Sequence, residues 1–215
     1  MNPHHSFIKS IANSSHTSDL VDKLGEVGLD SFLQAGTLKE IPIIGTAISL
    51  YKAGNDIAAY FFAKKILTFL SETEAIPLER RRKFVEEQCS EEEGIEHVGE
   101  VTLMLLEKVD HPSLARLLGR AFRLMVEGVI SRPSFELYSY VIKNLNSYLL
   151  RQMSQFYQHE NVMLIDAPAA VQLSNYGLVD IHVLPRYSGS TKTMPKSYER
   201  TDFGAQFYAR IVKDD

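Results

Sequence analysis

A chain of 215 residues with a net charge of −4, 45% hydrophobic residues and 23% charged residues has the make-up of a soluble globular protein. The acidic balance weakens any whole-protein electrostatic case for nucleic acid or an anionic membrane, although a local basic patch could still act. The single cysteine, Cys89, excludes an intramolecular disulfide framework, and with no apolar signal-peptide core near the N-terminus it points to the cytoplasm.

Residues 1–16 are rich in Asn, Ser and His and lack sustained periodicity, so a flexible tail is expected. His4, His5 and His16 are weakly spaced and read as incidental rather than as metal ligands. Thr17-Ser18 supplies N-cap chemistry for a helix through Leu20, Val21, Leu24, Val27 and Leu29, and a short piece over Asp30–Gln34 stops at Gly36. Next comes the longest apolar passage, Ile41 to Leu70. Lys52, Asp56, Lys64 and Lys65 interrupt it, and each central charge costs about 2.5–3.5 kcal/mol in a bilayer. Ile44, Ile48, Tyr51, Ala58, Phe62, Ile66 and Phe69 recur at helical spacing. The passage therefore reads as the central helix of a bundle, entered through Pro42, rather than as a constitutive membrane span.

Pro77 opens a helix to Cys89 that carries Arg80-Arg81-Arg82-Lys83, bracketed by Glu79 and Glu86-Glu87. Ser90 to Glu93 has the S-x-x-E form of a capping box and starts a helix through Ile95, Val98, Val101, Met104, Leu105 and Val109. His111-Pro112 begins an amphipathic helix to Gly128, and Ser131-Arg-Pro133 a long one from Phe135 to Phe156. Beyond Glu160 the character changes. Val162–Ile165 is a short apolar run, Asp166-Ala-Pro168 opens a brief helix, and Leu178–Leu184 alternates like a strand. A turn-rich loop over Pro185–Lys196 precedes a second strand at Tyr198–Thr201, and Asp202-Phe-Gly204 leads into a last helix with Phe207 and Ile211.

The expected fold is mainly α. A helical bundle over 17–160, built around a central apolar helix, is followed by a small α+β module over 161–215. Leu173, Tyr176, Gly177, Leu178 and Val179, then Tyr198, Thr201, Phe203 and Gly204, give this module an order that resembles the closing half of a winged-helix domain. Ile41-Pro-Ile-Ile-Gly45, Lys64-Lys65-Ile66 with Phe69-Leu70, and Leu118-Gly-Arg-Ala-Phe122 resemble a group of uncharacterised bacterial proteins. Some of that make-up look like accessory or phage-defence components. The resemblance implies a setting in defence or stress response and assigns no chemistry.

Catalytic signatures are missing: neither phosphate-binding glycine loop occurs, nor does G-x-S-x-G. Cys89 sits among Glu86, Glu87 and Glu91, which would raise its pKa and suppress the thiolate. Glu93, His97 and Glu100 share a helix face, but no second helix offers a matching Glu-x-x-His, so a solvated acidic face is the plainer reading. No metal or cofactor is expected. Arg116, Arg120 and Arg123 also stack on one face and could take phosphates or carboxylates, or pair with Glu93, Glu96 and Glu100 of the preceding helix. In the C-terminal module the helix before the wing offers Gln172 and Asn175. Arg186, Lys192, Lys196 and Arg200 could hold phosphates over 186–200 without specifying sequence.

The leading expectation is a non-enzymatic protein that acts by binding another protein. A winged-helix DNA-binding regulator and a membrane-active effector that releases residues 41–70 are the alternatives, and homo-oligomerisation stays open.

Overall fold

The structure is a computed structural model, and it describes residues 2–26, 41–51, 56–158, 165–183 and 196–213. The chain divides into two compact units, Met1–Asn144 and Leu145–Asp215. The first is helical, and the second adds a two-stranded antiparallel sheet.

The first unit comprises α1 (Pro3–Asn13), α2 (Thr17–Glu26), α3 (Pro42–Tyr51), α4 (Asp56–Glu74), α5 (Leu78–Gln88), α6 (Glu92–Lys108), α7 (Pro112–Val126) and α8 (Arg132–Asn144). Helix α4 is its centre, packing on α1, α2, α3, α6 and most extensively on α7. Ala63, Ile66, Leu67 and Leu70 recur at i, i+3, i+4 and i+7 and are fully buried with Phe69. Each of the isoleucine, leucine and phenylalanine side chains is worth about 1.5–3 kcal/mol of burial. At the other end of the helix Ile57 and Phe61 are exposed, so α4 enters the core only from about its second turn onward, whereas Ile41, Ile43 and Ile44 ahead of it are buried.

Two expectations about this unit are corrected. The passage from 41 to 70 is not one rod, because α3 and α4 pack against each other. The N-terminal stretch is not a tail. Asn2 caps α1 by accepting from the His4 N–H at 2.9 Å, and Phe7 and Ile11 are fully buried, with Phe7 against Phe69 at 5.7 Å between ring centroids. Serines in α1 bond within the helix and across to α3: Ser10 Oγ donates to the Ser6 carbonyl and accepts from the Ile43 N–H. A low-hydropathy helix can thus be core when its few apolar residues share one side and its serines satisfy one another.

Helix ends in this unit are closed by distant side chains. Buried Arg81 donates through one guanidinium nitrogen to the carbonyls of Ile11 and Ser14, at 3.1 and 2.9 Å, capping the end of α1. Lys65 donates to the carbonyls of Glu107 and Val109, both at 3.0 Å, capping the end of α6. A cation at a helix C-terminus meets the negative end of the macrodipole and the orphan carbonyls together. At the start of α2, the Thr17 N–H donates to Glu74 Oε1 at 2.8 Å. Thr17 is therefore capped rather than capping. Likewise Glu91, with no side-chain bond, stands at the N-cap of α6 where a Ser90 capping box was expected. The expected helical pieces at Val27, Leu29 and 30–34 lie outside the described residues.

The long helix expected from Phe135 to Phe156 is also two. Helix α8 ends at Asn144, and α9 (Ser147–Gln158) starts anew because Asn146 Oδ1 accepts from the Leu149 N–H at 2.9 Å, an N-cap bond. That break is where the two units divide, so α9 belongs with the C-terminal unit rather than with the bundle.

The second unit continues with α10 (Ala167–Asn175), β1 (Val179–Val183), β2 (Lys196–Arg200) and α11 (Asp202–Phe207), which runs on into a π-helical turn over Tyr208–Val212. In the sheet Val179 pairs with Arg200 and Val183 with Lys196. Thr201, expected to end the second strand, is instead the cap of α11: its Oγ1 accepts from the Gly204 N–H at 2.8 Å and donates to the Gly177 carbonyl at 2.6 Å. Tyr157 lies at the centre. Its hydroxyl donates to the Leu178 carbonyl and its ring stacks on Tyr208 at 5.3 Å. Val162–Met163–Leu164 lie outside the described residues.

Among the described residues no helix is long and apolar enough to cross a membrane.

Candidate functional site

The three arginines of α7 do converge, but on an acid that sequence spacing did not nominate. Arg116, Arg120 and Arg123 approach the Glu72 carboxylate of α4 at 3.7, 3.5 and 3.7 Å. The cause is Gly119. A Cβ at that position would sit 2.8 Å from the Phe69 carbonyl and from Glu72 Cβ, so the absence of a side chain lets α4 lie close against α7 and delivers Glu72 to the row. The pairing expected with Glu93, Glu96 and Glu100 of α6 is replaced by this one. Arg120 and Glu72 are largely buried and Arg116 is about half exposed. Three guanidiniums on one partly buried carboxylate tie α4 to α7, and of the row Arg116, and to a lesser extent Arg123, still reach solvent.

In the C-terminal unit, Arg200 is taken up structurally. Its Nε and Nη2 donate to the Phe156 carbonyl at 3.0 and 2.6 Å, and its guanidinium lies over the rings of Phe156 and Tyr157. It caps the end of α9 and is corrected from a phosphate-contact candidate to a clamp within the unit. Lys196 is exposed at the first position of β2. Gln172 and Asn175 are exposed on α10, while Arg186 and Lys192 lie outside the described residues. The basic run of α5 is divided as well: Arg81 is buried, Arg82 donates to Asn13 Oδ1, and Lys83 pairs with Glu87.

Cys89 is buried at the C-cap of α5, and burial pushes its thiol from 9.0 up to about 11. Desolvation, rather than the neighbouring glutamates, suppresses the thiolate. Below pH 9 the folded and unfolded chains both hold this proton and the thiol contributes nothing to pH dependence. Above it the unfolded chain ionises first, so stability is lost progressively up to about pH 11. At about 1.4 kcal/mol per pH unit the loss reaches about 3 kcal/mol. Urea titrations of wild type and Cys89→Ala between pH 8 and 11 should therefore converge as pH rises. Alkylation of the native chain at pH 8 should be slow, and rapid labelling without denaturant would show the thiol to be accessible.

Among the described residues, no group of three His, Cys, Asp or Glu side chains is placed to hold a metal ion, and Glu93, His97 and Glu100 stand on an open face of α6. What sequence reading missed is a cleft of about 280 Å³ in the first unit, between α5, α6, α7 and α8. Its floor is aromatic. Phe84 and Phe135 meet Phe122 edge to face, at 5.4 and 6.0 Å between centroids, and Phe122 is itself braced by Phe69. Val98 and Val101 of α6 form one wall, and Val101 remains 42% exposed. Gln88, His97, Val98 and Arg132 are shared with an adjoining polar groove that runs past Ser90, Glu91 and Glu93. The signal for it was the α6 apolar stripe, Val98, Val101 and Met104, which is too long for what the neighbouring helices cover.

Comparison with protein-family models, with curated proteins and with solved structures finds no match to this chain.

Proposed function

We propose that the chain is a non-enzymatic binding protein whose helical unit docks another protein, with the cleft between α5 and α8 as the docking site. The observation that carries this is the open apolar cleft with a fixed aromatic floor and an uncovered Val101. Large aromatic and aliphatic pockets of this kind are where partner side chains anchor. The clustered cations that could have favoured an anionic partner are mostly engaged within the fold: Arg81, Arg120 and Arg200 close helix ends or pair with Glu72. A setting in bacterial defence or stress response is the one the sequence resemblance implies, and it travels with this proposal.

Val101→Lys tests the reading, because Val101 is partly exposed and its replacement leaves the core intact. Tagged wild-type chain should co-purify a defined partner from its native host, and the folded variant should lose it. A folded variant that retains the same partner rejects the cleft as the docking site. Partner-independent turnover of any substrate would overturn the non-enzymatic reading.

A winged-helix-like DNA reader is the second reading, supported by the order α10, β1, β2, α11 and by exposed Lys196. With Arg200 engaged, the full chain should leave a duplex DNA probe unshifted at low salt. A shift with a steep salt dependence that Lys192→Ala and Lys196→Ala flatten would favour the DNA reader instead.

A further inference from the structure

Resting on the protein-docking reading above, we infer that the segment received by the α5–α8 cleft is a basic amphipathic helix. The cleft itself asks for apolar anchors. Phe84, Phe122 and Phe135 form its floor, and Val98 and Val101 stand one turn apart along its α6 wall. A helical partner presents large apolar side chains at that same spacing, so it can follow the wall while placing one or two anchors inside.

The surroundings set the sign of the partner's charge. Between residues 86 and 100 the chain carries seven glutamates, Glu86, Glu87, Glu91, Glu92, Glu93, Glu96 and Glu100, and neither a lysine nor an arginine. All seven are exposed. Two of them, Glu91 and Glu93, line the polar groove that opens from the cleft, sharing it with His97 and Arg132. Intramolecular pairing is partial and lies away from Glu91 and Glu93: Lys83 is 3.7 Å from Glu87, His5 of α1 is 3.3 Å from Glu92, and Arg132, the one arginine at the cleft, is 3.6 Å from Glu136 of its own helix. Glu91 and Glu93 beside the apolar slot, within a net-negative stretch, repel acidic segments and draw in Lys- or Arg-rich ones from a distance of about a Debye length, about 8–10 Å at ordinary ionic strength. The two features divide the work: the aromatic floor holds the partner and the glutamates choose it.

The test uses the full chain and three fluorescent peptides of about 20 residues that share one apolar helical face and differ only in having a basic, neutral or acidic polar face. Anisotropy titrations at low salt should give the basic peptide an affinity at least about tenfold above the neutral one, shrinking as salt is raised. Methyl NMR signals of Val98, Val101, Met125 and Ile130 should move on binding. The double variant Glu91→Lys, Glu93→Lys keeps the cleft and should remove the preference for the basic peptide. Val101→Lys should weaken the basic peptide about tenfold or more with the helical spectrum unchanged. A neutral or acidic peptide that moves the same methyl signals with equal or higher affinity overturns the basic partner and leaves the docking reading intact. Binding of the basic peptide without movement of those methyls overturns the cleft as its site. Failure of all three peptides overturns the inference. If Val101→Lys also leaves native co-purification unchanged, the docking reading falls with it.

Discussion

Removal of residues 2–13 should abolish the folding transition of the first unit rather than trim an appendage. Phe7 and Ile11 are fully buried, and replacing Phe7 alone by Ala should cost about 3–5 kcal/mol through lost contacts with Phe69 and a cavity at the centre of the bundle. Deleting the helix does more. The carbonyl of Ile11 goes with it, and the guanidinium of Arg81, buried and anchored at 2.9–3.1 Å to the end of α1, loses part of its satisfaction. Leaving a buried donor short of a partner costs about 1–3 kcal/mol, and more when it is charged. Domains of this size hold only about 5–15 kcal/mol in all, so the sum of these losses is decisive. Urea or thermal denaturation followed by far-ultraviolet circular dichroism should show the first unit's transition gone in the truncated chain and lowered in Phe7→Ala. An exposed control, Lys9→Ala, should stay within about 0.5 kcal/mol of wild type. A truncated chain that melts like wild type would make α1 dispensable.

Gly204→Ala should destabilise the second unit, against the usual gain of about 1 kcal/mol when alanine replaces glycine in a helix. A methyl at this position would overlap the Tyr157 hydroxyl and lie 2.5 Å from the Leu178 carbonyl and 2.9 Å from Thr201 Oγ1. Those atoms are not spare. Tyr157 donates to Leu178, and Thr201 Oγ1 both caps α11 and donates to Gly177, so one methyl disturbs the tie between α9, β1 and α11. Overpacking costs about 1–3 kcal/mol and loss of a cap about 1 more. The chain has no tryptophan and six of its ten tyrosines, Tyr157 and Tyr208 among them, belong to this unit, so intrinsic tyrosine emission is weighted towards its unfolding. The midpoint of that signal should fall in Gly204→Ala and fall less in Tyr157→Phe, which removes only the hydroxyl. A raised midpoint for Gly204→Ala would overturn the packing at α11.

Much of the architecture was legible because it rests on period and punctuation. Helices α5 to α7 begin close to where Pro77, Ser90–Glu93 and His111-Pro112 announce them, and the two strands stand on either side of a stretch rich in turn-forming residue types. Breaks were harder. Asn146 restarts a helix in the middle of an unbroken apolar periodicity, and its role is visible only once its side chain meets the Leu149 N–H. The N-terminal helix escaped notice because serine, histidine and asparagine dilute its few apolar residues, whereas in three dimensions those serines bond inside the unit. The candidate cations show the same limit more sharply. Arg116, Arg120 and Arg123 share a face as their spacing says. That Glu72 completes the set depends on Gly119 admitting another helix, a pairing across the fold that no local pattern encodes.

The bonds that secure α1 come from far along the chain: Ser10 meets residue 43, and Arg81 reaches the end of α1 across separations of 67 and 70 residues. During synthesis α1 must therefore wait until α5 has emerged before its last carbonyls are covered. At about 5–20 residues per second that interval lasts several seconds. Newborn chains of this protein thus pass through a window in which α1 is complete but its C-terminal end still lacks the guanidinium that closes it.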